Sequence, residues 1–357
     1  MVAEQGVTRK LHFDFVGAVL WLVRILALLA VVIGAYVSLS SGRLSAEAWL
    51  NFVVIGIGQG AIYALIALGY TMVYGILGFI NFAHGEVFMS GAMVGAFAAN
   101  ALFANGMWTS NPFLSLIIVL LISMTTSTLV AVLLERVAYR RLRNAPRLIP
   151  LITSIGASFF IQYAFLGLFG AQTRTYPALS ILNGTFNLFG LDISYSEALV
   201  IGAAIVMMFG LWVFVEKTRS GRALRAVAED KEIAALMGVN VNRSIVLTFA
   251  VGGAMAGAAA LLFGVVFRTV FFFSGFLFGI KAFTAAVLGG IGNIFGAMLG
   301  GVTLGIVESV GPSLVLTGLG IPSAHQLKDV VAFLALVLVL IFKPTGLLGE
   351  RLSEERA

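Results

Sequence analysis

Apolar residues run through this chain in blocks of about twenty, the length an α-helix needs to cross the hydrocarbon of a bilayer. Windows of that length place spans near residues 16–39, 50–70, 86–104, 114–135, 148–170, 196–215, 244–267, 276–290, 294–311 and 329–342. The short alternating segments of a membrane barrel do not occur. The fold class is therefore all-α, a polytopic integral membrane protein of about ten transmembrane helices.

One stretch departs from this rhythm. Residues 50–104 are too many for two simple crossings and too few for three with loops, so a broken or re-entrant segment is expected near 71–85. Within "YGILGFINFAHGEVFMSG", Asn81, His84 and Glu86 are polar in otherwise apolar surroundings. Irregular backbone at membrane depth survives only where protein or water satisfies its N–H and C=O groups. Asn81 is placed to cap the following helix, with Glu86 in its first turn at the positive end of the helix dipole. The alternative reading has Asn81 or His84 touching a translocating solute.

Charge supplies the topology. The loops "RVAYRRLRNAPR" and "KTRSGRALRAVAEDKEIAALMGVNVNR" hold five and six basic residues, and the excess of Lys and Arg marks the cytoplasmic side. With Arg9, Lys10, Lys343, Arg351 and Arg356, 16 of the 22 basic residues fall on that side, which puts both termini in the cytoplasm and requires an even number of crossings. The net charge of +6 is thus a topology signal and not a nucleic-acid footprint. The first span, longer than a usual signal-peptide core and without a clear cleavage site, is expected to stay as an anchor.

Composition narrows the chemistry further. With 60% hydrophobic and 11% charged residues, the chain lies far from the globular average. The absence of Cys removes disulfides, thiolate catalysis and Cys-ligated metals, and the three His form no metal-binding spacing, so neither metal nor cofactor is expected. Gly292, Gly296 and Gly300 recur every four residues, as do Gly253 and Gly257, and Gly56 and Gly60; this spacing is expected to let helices pack closely in lipid. "SMTTST", Ser123 to Thr128, is expected to hydrogen-bond between helices. Inside the spans, charges are thin: Arg24 is near an end, while Lys281 and Glu308 stand alone and can pair only across helices. An ion-coupled carrier would need a better-connected set.

In the longest cytoplasmic loop, Asp230 reads as an N-cap, Glu232 as an acidic first-turn residue and Gly238 as a C-terminal stop. A short helix is expected there, exposing Ile233, Ala234, Leu236 and Met237, either resting on lipid headgroups or laid into a partner's groove.

The strings "ALIALGYTMVYGILGFINFAHGEVFMSGA", "AEDKEIAALMGVN", "KAFTAAVLGGIGNIFGAMLGG" and "KPTGLLGER" closely resemble the LivH-type permease subunits of bacterial ABC importers for branched-chain amino acids, from about Leu50 to Arg351. The resemblance implies a non-catalytic subunit of the bacterial inner membrane. Its implied partners are a second, LivM-like permease, two cytoplasmic ATP-binding subunits, a periplasmic or extracellular substrate-binding protein, and membrane lipid. No G-x-x-x-x-G-K-[ST] motif is present, in keeping with ATP hydrolysis by other chains. Family loops that dock on the ATPase carry E-A-A-x-x-x-G; here Glu232, Ala234 and Gly238 match, and Ile233 replaces the first Ala. On this resemblance Glu229, Asp230, Glu232, Ala234, Leu236 and Gly238 form the coupling helix, and Asn81, His84, Glu86, Lys281 and Asn293 belong to the solute route. The expected division is an N-terminal extension with one extra span over 1–45, a permease domain over 46–351 and a short tail over 352–357. Related permeases for urea, amides or other neutral amino acids are the neighbouring alternative.

Overall fold

The computed structural model describes residues 15–349 apart from 144, 147, 189 and 190. Arg9, Lys10, Arg147, Arg351, Arg356 and the tail 352–357 lie outside the described residues. In chain order the helices are α1 (Phe15–Ser40), α2 (Ala46–Leu77), α3 (His84–Ala104), the single turn α4 (Met107–Ser110), α5 (Pro112–Leu134), α6 (Leu148–Phe169), α7 (Tyr195–Lys217), α8 (Arg219–Glu229), α9 (Lys231–Leu236), α10 (Val241–Phe267), α11 (Ser274–Gly289), α12 (Ile294–Gly311) and α13 (Lys328–Phe342). Each of the ten expected spans has its helix. Among the described residues, nine helical stretches are long and apolar enough to cross a membrane, and α11, at 16 residues, is shorter. The chain is a multi-pass all-α membrane protein.

Helices α2 and α10 form the centre: 67% and 72% of their apolar windows are buried, against 6% for α1 and the stretch containing α13. Lipid gives apolar faces no reason to leave it, so helices associate through close packing and hydrogen bonds. The α2–α12 crossing shows how. A Cβ on Gly60 would lie 2.7 Å from the carbonyl oxygen of Gly301, and one on Gly305 2.3 Å from that of Gly56. Gly253 and Gly257 likewise bring α10 against the backbone of α5. "SMTTST" adds hydrogen bonds from Ser127 Oγ to the Val87 carbonyl at 2.8 Å and from Thr128 Oγ1 to the Ala250 carbonyl at 3.3 Å.

The interruption after α2 is shorter than the expected 71–85. Thr71 to Leu77 continue α2, which therefore reaches 32 residues, and only the six residues from Gly78 to Ala83 leave helical geometry. Gly78 ends the helix at φ 72°, in the left-handed region, with its N–H on the Tyr74 carbonyl at 2.8 Å. Two crossings of unequal length thus account for the awkward count between 50 and 104.

At the end of α7 opposite α8, two short antiparallel ladders close the bundle. Arg174–Thr175 pair with Thr269–Val270, and Thr185–Leu188 with Leu191–Ser194. Helix α1 sits on the flank. Gly34 lets it approach the π turn Pro312–Leu316, Ser38 Oγ donates to the Ser313 carbonyl at 2.8 Å, and Arg24 donates to the Ile341 carbonyl at 2.7 Å.

A leucine at Gly301 must push its Cβ into Ala64, 2.5 Å away on α2, whereas a Cβ at Gly202 meets nothing within 4 Å. Gly301→Leu is expected to cost about 1–3 kcal/mol or more by overpacking. It should lower the thermal unfolding midpoint in detergent, with Gly202→Ala close to wild type.

Candidate functional site

The residues expected on a solute route separate into three places. At the break, Asn81 is 2% exposed and its Oδ1 accepts from the Tyr139 hydroxyl at 2.6 Å and from the Ala83 N–H at 3.2 Å. Ala83 itself occupies the N-cap position of α3 and supplies no side-chain cap. Asn81 therefore shapes the turn before the helix and does not cap it. Ser154 of α6 ties the same turn from outside, accepting from the Phe82 N–H and donating to the Leu151 carbonyl.

One turn on, His84 fills a slot floored by glycine. A Cβ on Gly69 would fall 2.1 Å from His84 Nε2, and the ring meets Tyr70 edge-on at 4.9 Å. Glu86 is fully buried; its Oε1 accepts from Ser158 at 3.4 Å, and Gly275 at the start of α11 leaves room for its Oε2. The first turn of α3 crosses the first two turns of α11 at Gly85, Gly275 and Gly279. Asn81, His84 and Glu86 are thus wedged between helices. A separate apolar cavity of about 480 Å³ opens between α5, α7 and α10, lined by residues such as Leu120, Ala203 and Leu262, and none of the five route residues borders it.

Lys281 occupies the second place. The expectation that it stands alone in its own span holds, and across helices it has three partners. Its Nζ lies 2.7 Å from Glu308 Oε1 on α12, 2.6 Å from Asp329 Oδ1 on α13 and 3.5 Å from the Tyr63 hydroxyl on α2, with the Phe278 ring 5.6 Å away. Tyr63 donates to Glu308 Oε2 at 2.9 Å, and Lys328 approaches Glu308 at 3.8 Å. Lys281 and Glu308 are buried and pair one to one, as desolvation demands of buried ions, while the more exposed Asp329 and Lys328 add one charge of each sign at the edge. The sequence offered Lys281 and Glu308; Asp329 and Lys328 were visible only as charges at the edge of the last span, and Tyr63 gave no signal.

Asn293 is the third. It caps α12, its Oδ1 accepting from the Gly296 N–H at 3.0 Å, and its amide donates to the Leu348 carbonyl at 3.1 Å. Gly292 precedes the helix, at φ 96° with open space around it, so it serves a turn and not helix packing. Gly296 and Gly300 face α11, where a Cβ on either would strike the backbone of Gly289 or Ala285.

On the face carrying α8, the short helix α9 is built as its residues dictate. Asp230 Oδ1 accepts from the N–H groups of Glu232 and Ile233 at 2.8 and 2.9 Å. At the other end the Gly238 N–H reaches the Ala235 carbonyl and the Val239 N–H the Ala234 carbonyl, both at 3.0 Å, with Gly238 at φ 83°. Glu229 closes α8 and Glu232 lies exposed in the first turn of α9. Ile233, Leu236 and Met237 are 60%, 86% and 80% exposed. Ala234 corrects the expectation: at 3% exposure it faces inward and anchors the helix instead of joining the presented surface.

These features define a multi-pass helical membrane protein with polar clusters between its helices and an apolar helix held out on one face; among the described residues, no group of three or more His, Asp and Glu could hold a metal. The chain belongs to the family of branched-chain amino acid transport system permease components, whose profile matches residues 52–340. It is 46% identical over 304 residues to the high-affinity branched-chain amino acid transport system permease protein BraD of Pseudomonas aeruginosa, covering 84% of this chain and 96% of that one. LivH of Escherichia coli K12, with the same described role, is 42% identical over 299 residues, 82% of this chain and 93% of its own. The fructose import permease protein FruG of Bifidobacterium longum is more distant, at 25% over 296 residues, 80% of this chain and 81% of its own.

Lys281→Met leaves Glu308 and Asp329 without their buried cation. Breaking such a pair costs about 3–5 kcal/mol, whereas replacing both partners of a pair by apolar residues is far milder. Denaturation in detergent should show a large loss for Lys281→Met and partial recovery in Lys281→Met/Glu308→Leu.

Proposed function

We propose that the chain is the membrane permease subunit of an ATP-driven importer of branched-chain, aliphatic amino acids in the bacterial inner membrane, with both termini cytoplasmic. It works with a second permease, two ATP-binding subunits and a substrate-binding protein, and ATP is hydrolysed by those partners. The observation that carries this reading is α9. A six-residue helix capped at both ends, anchored by Ala234 and presenting Ile233, Leu236 and Met237, is a preformed ligand for an apolar groove. The roles of BraD and LivH support the solute class.

In this reading the polar residues of the break and of the Lys281 cluster stand behind the wall of the solute route and fix its shape, a role their burial supports. Residues 1–44 are an addition to the transport unit, since the family match begins at residue 52, after α1. A chain lacking 1–44 is expected to assemble and transport, while unfolding at a lower temperature because α1 no longer covers the Pro312–Leu316 turn. Loss of uptake from a fully assembled complex would refute this.

The docking role is tested in vesicles containing all partners. Leu236→Asp places a charge in the groove, and Gly238→Val puts a β-branched residue at positive φ. Both should reduce co-purification of the ATPase and solute-stimulated hydrolysis, leaving solute binding by the separate binding protein untouched. Normal docking and stimulation in both variants would assign α9 to the lipid surface. Orientation is read by labelling: a Cys at Arg141 or Arg222 should react only from the cytoplasm, and one at Thr175 only from outside.

A further inference from the structure

Helix α5 does not end as an ordinary helix. After Leu134 it passes into a π turn, Glu135–Tyr139, and then a 3₁₀ turn, Arg140–Leu142. A π turn carries one more residue than the helix around it, and such turns gather at functional sites. Here two separate sets of contacts hold it.

On one side lies Arg143. Its guanidinium pairs with the carboxylate of Glu135, which is fully buried, and donates to Asn242 Oδ1 in the first turn of α10, three residues beyond Val239, where the chain leaves α9. Lys231, which opens α9, belongs to the same neighbourhood: partial burial and, after it, the charge of Arg143 hold its ammonium below the usual lysine range. On the other side lies Tyr139. Its ring packs on Phe79 at 5.3 Å and on Phe249 of α10 at 5.7 Å, and its hydroxyl donates to Asn81 at the α2–α3 break. Asn81 in turn holds the N–H of Ala83, next to His84 and Glu86.

The contacts are also incompletely satisfied. Asn81 Nδ2, Glu135 Oε2 and Arg143 Nε are buried without a hydrogen-bond partner. Buried polar groups left unpaired favour any alternative arrangement that pairs them.

We propose that the π turn Glu135–Tyr139 is the transmitting element of this permease, with Arg143, Glu135 and Tyr139 as positioning residues that carry displacement of α9 to the α2–α3 break. The proposal rests on the reading of α9 as the ATPase-docking helix. Displacement of α9 pulls Arg143 through Asn242 and the start of α10. Glu135 follows, the extra residue of the π turn shifts along the helix, and Tyr139 rotates away from Asn81. The break is then free to change its angle.

The test uses the complete complex in vesicles and reads three quantities: ATPase co-purification, hydrolysis without solute, and solute uptake per ATP hydrolysed. Tyr139→Phe retains the ring between Phe79 and Phe249 and removes only the hydroxyl. It should keep docking and solute-free hydrolysis while uptake per ATP falls by up to about tenfold, the shift expected for one buried hydrogen bond. Arg143→Gln should give a loss of the same kind, Arg143→Lys should restore part of it, and Tyr139→Phe/Arg143→Gln should be no worse than the more severe single variant, because both lie on one path. Wild-type uptake per ATP in Tyr139→Phe, or multiplied losses in the double variant, would overturn the proposal. Leu236→Asp separates the two readings. If it abolishes docking while Tyr139→Phe is silent, the relay alone is wrong; if it leaves docking intact, the docking role of α9 fails and the relay with it.

Discussion

Backbone contact between α2 and α12 is the constraint on which the buried interior depends. Gly56, Gly60, Gly301 and Gly305 remove the side chains that would hold the two helices apart. At the separation this permits, Tyr63 on α2 reaches Glu308 on α12, and Glu308 meets Lys281 on α11. Were the helices a side chain's width further apart, a buried carboxylate would lose a partner it cannot replace from lipid. Dispersion at the glycines and the charge cluster beside them are therefore one design: the first sets the distance and the second makes that distance specific.

The cluster and the break share a logic. Each gathers polar groups from segments far apart in the chain: Tyr63, Lys281, Glu308 and Asp329 in one, Asn81, Tyr139 and Ser154 in the other. Van der Waals packing alone would let apolar helices slide and rotate with little penalty. Polar groups with fixed partners remove that freedom, and the glycine-lined slots for His84 and Glu86 do the same for the first turn of α3.

Much of this could be read from the sequence, because the signals involved are local. Span lengths gave ten helices, and Asp230 and Gly238 marked the ends of α9 because caps depend on neighbouring residues alone. What escaped was set by distance or by rotation. Thr71 to Leu77 contain nothing that distinguishes a continuing helix from an irregular segment, so the break was placed too early. Ala234 lies inward because of how α9 rolls against α8 and α10, which a six-residue pattern does not encode. Gly292 fits a small-residue repeat by spacing but falls outside the helix, where the repeat has no meaning. The partners of Lys281 lie 27 to 218 positions away, and no periodicity reports such a meeting.

The length of α2 bears on the membrane itself. Thirty-two residues rise about 48 Å, against a hydrocarbon core of about 30 Å. A helix with that much excess must tilt or project, and α2 is bound along its length to α12 and α10, which limits its freedom to do either alone. Bilayer thickness is then a mechanical load shared by the whole centre of the bundle. The far end of that loaded helix is Gly78, which opens the same corner that Tyr139 holds through Asn81.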